Sequence, residues 1–391
     1  MAALPNGTEI RWHIFHEGKW DFYSSPDIVT EIWVPSGPVA NCKLINTTNL
    51  NVAIGWPKIK NSVLSVGRIR VAVLFVDFID KPTEQNIDPL FSYLNASNAI
   101  FDEISYGRLD FFLDPLKKWL RMSKKSTYYN INRSNSKIPY QEYVQAAVNS
   151  AEEHGYNFHG VSLLAVIANP DAKFDFGPAH LGFDTSAMDG RVKMPFSVTS
   201  GQDAWRAGAG RWLVHESGHT MGLVDLYNFE HENNTKTHCF VGYFSLMGFN
   251  FAENRAPGFF GWERWLMGWL DETQVTEYSV NVTTYTLTPL ATVGGLKIIV
   301  IPTSSTTGIV LESRHAIGID DKIPREGVLV YTVDTSIKSG YGPIIVQGAK
   351  CGDKEKMSAL LQIGANLVIL GFKIEVIEQS AIGEIITITR A

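Results

Sequence analysis

The first half of the chain alternates between apolar runs of strand length and segments with a helical pattern. The run from Arg68 to Asp80 is almost continuously apolar, which is typical of a strand buried on both faces of a sheet, and a second such run extends from Val161 to Asn169. Helices are predicted over Pro89–Ile104 and Pro139–His154. Apolar residues from Phe111 to Leu120 indicate a further strand or a hairpin. This order predicts a layered α/β structure.

The last third of the chain contains short segments of hydrophobic residues separated by turn formers. Such a pattern predicts an all-β region, most simply a sandwich, and we expect it to contribute stability or substrate presentation because it carries no catalytic constellation. The predicted strands are Tyr285–Pro289, Lys297–Ile301, Gly308–Glu312, Gly327–Val333, Phe372–Ile377 and Glu384–Thr389.

Two domains, preceded by an N-terminal segment, are predicted within the 391 residues, because the chain is long for one hydrophobic core. Residues 1–60 contain short strands such as Ile28–Val34 and form either an N-terminal β-rich subdomain or a pro-segment. Residues 61–275 form the α/β part, and residues 276–391 form the β-sandwich-like part. The expected fold class is therefore α+β.

Composition and charge exclude several classes of protein. Apolar residues make up 45% of the chain and charged residues 19%, which favours a folded protein over a disordered one. The net charge is −6 and no basic stripe is present, so we expect no nucleic-acid partner. No apolar run approaches the ~18 residues of a membrane span. The first residues do not resemble a signal peptide, so we expect either that a leader has been removed or that another route is used. We expect a monomer.

Three cysteines, Cys42, Cys239 and Cys351, permit at most one disulfide, and the sequence leaves the pairing open. Sequons at Asn6, Asn46, Asn95, Asn132, Asn233 and Asn281 would matter only in a eukaryotic secretory route, and we favour a bacterial source in which they are coincidental.

The clearest chemical signal lies in the stretch Trp212–Tyr227. A helix is predicted over Asp203–Met221, and His215 and His219 are four residues apart, so both imidazoles can bind one metal from the same helix face. Glu216 lies roughly 60° around the helix from His219. It can therefore hold a water molecule as a general base without being a ligand.

The residues after this helix extend the pattern. Gly222 can adopt the left-handed conformation that ends a helix, so that Asp225 approaches the same metal from a third direction. Two histidines and one carboxylate leave a position open, which is the composition of a catalytic zinc site. The tight turn Ser245–Gly248 places Met247 where it could underlie the metal. The alternative is a chance match on an amphipathic helix, but the spacing of Gly222 and Asp225 favours zinc. A further hypothesis is that the Cys42 thiolate caps this metal and keeps a zymogen latent, although a buried or disulfide-bonded cysteine is the favoured interpretation.

A loop-rich stretch over residues 171–200 contains four aspartates, at positions 171, 175, 184 and 189. These carboxylates could bind Ca²⁺ as an additional ion, but the regular spacing of a calcium loop is absent, so a solvated rim of the active site is the favoured interpretation. The segment Lys193–Val198 could form the sheet edge on which an extended peptide adds as a strand.

Several segments resemble the immune inhibitor A-like, or M6, metalloprotease family. Besides the zinc motif they are Val76–Pro82, Ile104–Leu109, Gly222–Tyr227, Pro257–Trp269, Leu287–Leu290 and Gly327–Tyr331, so the resemblance covers about residues 63 to 335. It implies a secreted zinc endopeptidase of the metzincin type, in which a mixed sheet with an active-site helix precedes the β-sandwich-like domain.

The resemblance also implies a role for each motif residue. His215, His219 and Asp225 correspond to the zinc ligands, Glu216 to the general base and Met247 to the methionine of the Met-turn.

One position departs from the metzincin pattern. Many metzincins have a tyrosine two residues after the Met-turn methionine, whereas this chain has Phe249, which cannot donate a hydrogen bond. Tyr243 or Tyr227 could substitute.

The expected activity is the hydrolysis of peptide bonds in protein or peptide substrates, with zinc as cofactor and Glu216 as base. The alternative from another class is a zinc-containing binding or adhesin-like protein without turnover, and a third possibility is hydrolysis of a non-peptide amide. Retention of Glu216 argues against the binding protein, because a metal site without turnover needs no base. The segment Asp225–Phe251 would form the specificity pocket, whose preference the sequence does not reveal.

Overall fold

The computed structural model describes residues 12–16, 19–23, 39–47, 52–129, 131, 137–174, 177–205, 208–231, 236–249, 258–282, 284–351 and 356–391. The chain divides into two compact units, Met1–Ser36 and Gly37–Ala391. In the first unit, β1 (Trp12–His16) pairs with β2 (Lys19–Tyr23) in an antiparallel hairpin. The predicted strand Ile28–Val34 lies outside the described residues, and the predicted domain boundaries at 60 and 275 stay a prediction.

A five-stranded mixed sheet forms the first layer of the second unit. Its strands are β3 (Gly67–Phe78), β4 (Leu109–Met122), β5 (Val161–Ala168), β6 (Ala179–Leu181) and β9 (Phe196–Thr199), in the order β4-β3-β5-β9-β6. All neighbours are parallel except β6, which runs antiparallel to β9. The short strands β7 (Ser186–Ala187) and β8 (Val192–Lys193) pair as a separate ribbon.

Helices cover both faces of this sheet. They are α1 (Asp88–Ile104), α2 (Ser126–Tyr129), α3 (Lys137–Glu153), α4 (Ala209–Thr220) and α5 (Gly261–Leu266). Odd-numbered residues from Val71 to Phe75 share a buried cluster with α1 and α4, whereas even-numbered residues from Ala72 to Val76 share one with α3. Burial on both faces explains why the run is continuously apolar.

The structure decides one open prediction and corrects another. Of the strand and the hairpin considered for Phe111 to Leu120, the strand is found: these residues belong to β4, because α1 carries the chain across the sheet to pair parallel with β3. The helix predicted from Asp203 begins only at Ala209, after a 3₁₀ turn. The preceding segment is held by the end of β5, where the Ala168 N–H donates to Ser200 Oγ and the Trp205 indole N–H donates to the Ala168 carbonyl.

The rest of the second unit is built from two antiparallel-rich sheets. The strands are β10 (Val275–Glu277), β11 (Thr284–Leu287), β12 (Ile298–Pro302), β13 (Thr307–Arg314), β14 (Gly327–Asp334), β15 (Ile344–Val346), β16 (Asn366–Ile369), β17 (Phe372–Ser380) and β18 (Gly383–Arg390). One sheet has the order β10-β12-β13-β14-β15 and the other β11-β18-β17-β16. Ile299 and Val330 of the first sheet share a buried cluster with Ile374 and Ile386 of the second, so the two sheets pack as a sandwich. We call residues 275–391 the β region.

The β region is joined to α5 by buried polar contacts. Glu312 accepts hydrogen bonds from the Gly261 N–H at 2.7 Å and from the Tyr331 hydroxyl at 2.9 Å, and the Trp262 N–H donates to Tyr331 Oη at 3.2 Å. These contacts satisfy free N–H groups at the start of α5, which would otherwise be buried without partners. Among the described residues, no helix has both the length and the apolar character to cross a membrane.

Candidate metal centre

The helix α4 and the turn that follows it bring three potential metal ligands together. His215 and His219 lie one turn apart on α4, and their Nε2 atoms are 3.2 Å from each other. Gly222 has φ +106°, a conformation that suits glycine, and it reverses the chain after the helix. Asp225 Oδ1 then lies 3.3 Å from His215 Nε2 and 3.1 Å from His219 Nε2.

Backbone carbonyls orient both imidazole rings. His215 Nδ1 lies 2.7 Å from the Leu246 carbonyl oxygen, and His219 Nδ1 lies 2.9 Å from that of Leu223. A carbonyl oxygen can only accept, so each Nδ1 carries the proton and the neutral ring keeps its lone pair on Nε2. Both lone pairs therefore face Asp225 Oδ1, as in a metal site whose histidines are held by outer hydrogen bonds.

The donor set fits a zinc ion. The three donor atoms are separated by 3.1, 3.2 and 3.3 Å. In a tetrahedral site with bonds of about 2.0 Å, two ligand atoms lie roughly 3.3 Å apart. Asp225 Oδ1 is buried and has no hydrogen-bond partner among the described groups. Within the described part of the chain, the ligand atoms of His215, His219 and Asp225 lie close enough to one another to hold one metal ion.

The charges of the three side chains are strongly coupled. Burial favours a neutral His219, but the Asp225 carboxylate and Glu216 outweigh burial and raise the pKa of His219 to about 9. Burial likewise opposes the charged form of Asp225, but the two imidazoles hold the pKa of this carboxyl well below its usual range. The site therefore attracts a cation, either a proton or a metal ion.

Glu216 lies beside this group and contacts the edge of the mixed sheet. Its Oε2 accepts a hydrogen bond of 2.8 Å from the Ala179 N–H on β6. The prediction that Lys193–Val198 forms the sheet edge is wrong, because β9 pairs on both sides and β6 is the outer strand among the described residues. The additional strand beyond β9 is β6, which runs antiparallel to it.

Met247 lies buried beneath α4. A side chain at Gly218 would bring its Cβ to within 2.8 Å of Met247 Sδ, so glycine allows the helix and the methionine to approach closely. The Met247 carbonyl accepts from the Leu226 N–H at 2.9 Å, and the Met247 N–H donates to Ser245 Oγ at 3.1 Å. The turn is thus bonded to the residue that follows Asp225.

Several aromatic residues pack near the turn and beside the ligand rings. Phe249 stacks on Tyr243 with ring centroids 4.1 Å apart, and His238 packs edge-on against Phe249 at 4.3 Å. Tyr227 lies closer to the ligands, with its ring centroid 6.4 Å from that of His215. Of the two candidate substitutes for the missing tyrosine, Tyr227 is the one beside a ligand ring.

The cysteines have separate structural roles. Cys239 and Cys351 form a disulfide that joins the loop before the Met247 turn to the β region. Cys42 is free and fully buried, and burial, followed by the charge of Glu277, raises the pKa of its thiol to about 12. Cys42 lies outside the group of described residues that could hold a metal, so the hypothesis that its thiolate caps the metal is wrong. The predicted Ca²⁺ site stays a prediction.

Sequence reasoning missed three residues of the β region that contact the site. Ser339 and Gly340 bond to Asp225, and the Arg314 guanidinium donates to the Phe244 carbonyl beside the Met247 turn at 2.9 Å. Ser339 lies 114 residues from Asp225, so no local pattern links the two.

Comparisons with known proteins leave the family open. No protein-family model matches the chain. No curated protein matches it either. A solved structure of catalytically inactive OgpA from Akkermansia muciniphila, in complex with an O-glycopeptide substrate, aligns over 83% of this chain and 92% of its own with 10% sequence identity. The TM-score is 0.24, a level of similarity from which neither fold nor function is inferred.

Proposed function

We propose that this protein is a zinc-dependent endopeptidase of the metzincin type, similar to the immune inhibitor A-like family, that hydrolyses peptide bonds of protein substrates. The observation that carries the proposal is the position of Glu216. Its carboxylate lies on the same helix as two ligands and accepts a hydrogen bond from the outer strand β6. A base is thereby held between a metal-binding group and a strand on which a peptide can bind.

His215, His219 and Asp225 would hold the zinc ion through Nε2, Nε2 and Oδ1. When bound, zinc would supply Lewis-acid polarisation of a carbonyl and would make water a stronger acid. The closeness of the three donor atoms and the unpartnered Asp225 Oδ1 support this assignment.

Glu216 would move the proton of the reaction. Its carboxylate takes a proton from the attacking water, so that the water oxygen forms the new bond to the carbonyl carbon. The same carboxyl group then gives that proton to the amide nitrogen as the carbon–nitrogen bond breaks. The hydrogen bond from the Ala179 N–H stabilises the charged carboxylate and fixes its direction, which keeps Glu216 from replacing water as a ligand.

The outer strand β6 provides a template for the substrate. Ala179 pairs with Val198 in the antiparallel ladder, and its N–H points away from β9, toward Glu216. Alternation in such a ladder turns the N–H and C=O of Leu181 to the same open side. An extended peptide can therefore pair with Leu181 and pass Glu216, a mode of recognition that uses mainly backbone groups.

We further propose that the enzyme acts outside the cytoplasm. The disulfide between Cys239 and Cys351 supports this location, because disulfides persist mainly in oxidising compartments.

The test is cleavage of casein by the purified protein and by Glu216→Gln, with zinc content measured in both. The substitution keeps the size of the side chain but removes the base, so we expect one zinc per chain in both proteins and a loss of cleavage of roughly 10³-fold in the variant. A chelator should abolish the remaining activity, and zinc should restore it in the wild type.

The zinc-containing binding protein is the alternative from another class. It predicts bound zinc and no cleavage by either the wild type or the variant. That outcome would refute the peptidase proposal in favour of the binding protein. Cleavage by Glu216→Gln at the wild-type rate would show that another residue is the base.

A further inference from the structure

A loop of the β region reaches the metal centre. This loop connects β14 to β15 and contains Ser339 and Gly340. Ser339 Oγ lies 2.8 Å from the Asp225 nitrogen and 3.3 Å from Asp225 Oδ2. The β region, which was expected to contribute no catalytic group, therefore contacts the ligand that lies outside the helix α4.

The two contacts fix the direction of the Ser339 hydroxyl proton. A backbone N–H can only donate, so Ser339 Oγ accepts from Asp225 and its own proton is free to be donated to Oδ2. Oδ2 is thereby occupied, while Oδ1 has no hydrogen-bond partner among the described groups and faces the two imidazoles. The hydroxyl thus distinguishes the two carboxylate oxygens.

The adjacent residue holds the loop in this place. The Gly340 N–H donates to the Asp225 carbonyl at 3.0 Å, and the Gly340 carbonyl accepts from the Phe229 N–H at 3.1 Å. Gly340 has φ +77°, and a Cβ there would clash with the Phe229 ring. A larger residue would be strained in this conformation and would displace the ring, so the loop and the segment after Asp225 fit together only with glycine.

We infer that Ser339 is a positioning residue for the metal site: its hydroxyl orients the Asp225 carboxylate so that Oδ1 is presented together with the two imidazole nitrogens. This inference rests on the proposed function, because it assigns Asp225 as a zinc ligand. Without the hydroxyl, Asp225 can rotate and exchange its oxygens, so part of the binding free energy is used to order the ligand. Outer contacts of this kind change metal affinity by about 10- to 100-fold.

The experiment measures zinc affinity of the full chain by competition with a chromophoric chelator. Ser339→Ala removes the hydroxyl, Ser339→Thr keeps it, and Ser336→Ala is the matched control. Ser336 lies in the same loop, but its hydroxyl donates to Asp334 and not to Asp225. The visible absorption of the cobalt-substituted proteins reports the ligand geometry independently of activity, and thermal unfolding of the metal-free proteins reports the fold.

We expect Ser339→Ala to bind zinc at least 10-fold more weakly and to show an altered cobalt spectrum, whereas Ser339→Thr and Ser336→Ala stay within about threefold of the wild type. Wild-type affinity in Ser339→Ala would overturn the inference and leave the peptidase proposal intact. Equal losses in Ser339→Ala and Ser339→Thr would also overturn it, because the hydroxyl would then not be the group that matters. A wild-type protein that binds no zinc would instead refute the proposed function itself.

Discussion

The helix α4 and the β region contribute to the candidate metal centre in opposite ways. The helix supplies both histidines and Glu216 from five consecutive residues, His215 to His219, so its contribution depends on local geometry alone. Among its described residues the β region supplies none of the three candidate ligands, yet Ser339 contacts Asp225, and Arg314 contacts Phe244 beside the turn that carries Met247. The comparison teaches that the identity of the candidate ligands is set by local sequence, whereas their position also depends on residues distant in the chain.

The residues between these two regions give the candidate ligands two kinds of support. The histidine rings are oriented by the backbone carbonyls of Leu246 and Leu223, which lie near the ligands. The Met247 turn depends in addition on side chains, because Ser245 Oγ donates to Glu263 at 2.8 Å. Substitutions in the two regions should therefore separate loss of the ligand from loss of its support.

The largest effect on metal binding is expected from Asp225→Ala. This substitution removes one of three protein ligands and leaves the helix α4 unchanged, so zinc affinity should fall by roughly 10³-fold. The measurement is competition with a chelator, with unfolding of the metal-free protein as the check on the fold. Retention of wild-type affinity would contradict the assignment of Asp225 and leave the two histidines as the site.

Arg314→Met tests the support from the β region. Arg314 donates to Glu312 at 2.7 Å and to Asp320 at 2.9 Å, and all three side chains are fully buried. Removing the guanidinium leaves two carboxylates without their counter-charge, so the free energy of unfolding should fall by about 3 kcal/mol.

The matched control is Lys373→Met, which removes the partly exposed ion pair with Glu375 and should cost less than about 1 kcal/mol. Denaturant unfolding of both variants gives the comparison. Similar losses of unfolding free energy in the two variants would mean that the buried contacts of Arg314 do not stabilise the β region.

Glu263→Gln should give a smaller effect that depends on pH. Burial raises the pKa of Glu263 to about 7, above its value in the unfolded chain. The folded state therefore binds more protons between pH 4.5 and 7, and the stability contributed by this group is lost as the pH rises through that window.

The amide of this variant cannot titrate, so the stability of the wild type relative to Glu263→Gln should decrease by on the order of 2 kcal/mol from pH 5 to pH 8. The measurement is denaturant unfolding of the metal-free proteins at both values, with the exposed Glu378→Gln as control. A difference in unfolding free energy between the wild type and this variant that does not change with pH would contradict the raised pKa of Glu263.

Much of the fold could be predicted from hydrophobic patterns. The strands β3 and β5 and the helices α1 and α3 follow from continuous apolar runs and helical periodicity, and most strands of the β region were found near their predicted positions. The choice between a strand and a hairpin around Phe111 stayed open, because periodicity does not show whether two short apolar runs belong to one strand. The start of α4 was misplaced because hydrogen bonds to Ala168 hold the preceding segment.

The composition of the candidate site could be read from spacing, but its surroundings could not. The proximity of His215, His219 and Asp225 follows from helix geometry and from the conformation of Gly222. The sheet edge was assigned to the segment of β9 and not to β6. The hydrophobic pattern of a short strand does not show with which strands it pairs. The contacts of Ser339 and Arg314 arise from tertiary packing, for which one sequence carries no signal.

The most direct test of the account is the location of the metal in crystals of the purified protein. Anomalous scattering measured on both sides of the zinc absorption edge identifies the element and its position at once. We predict one zinc per chain, bound by His215 Nε2, His219 Nε2 and Asp225 Oδ1, with Ser339 Oγ bonded to Asp225 Oδ2. Zinc bound elsewhere, or no zinc in protein purified without chelator and then supplied with the metal, would contradict the central claim.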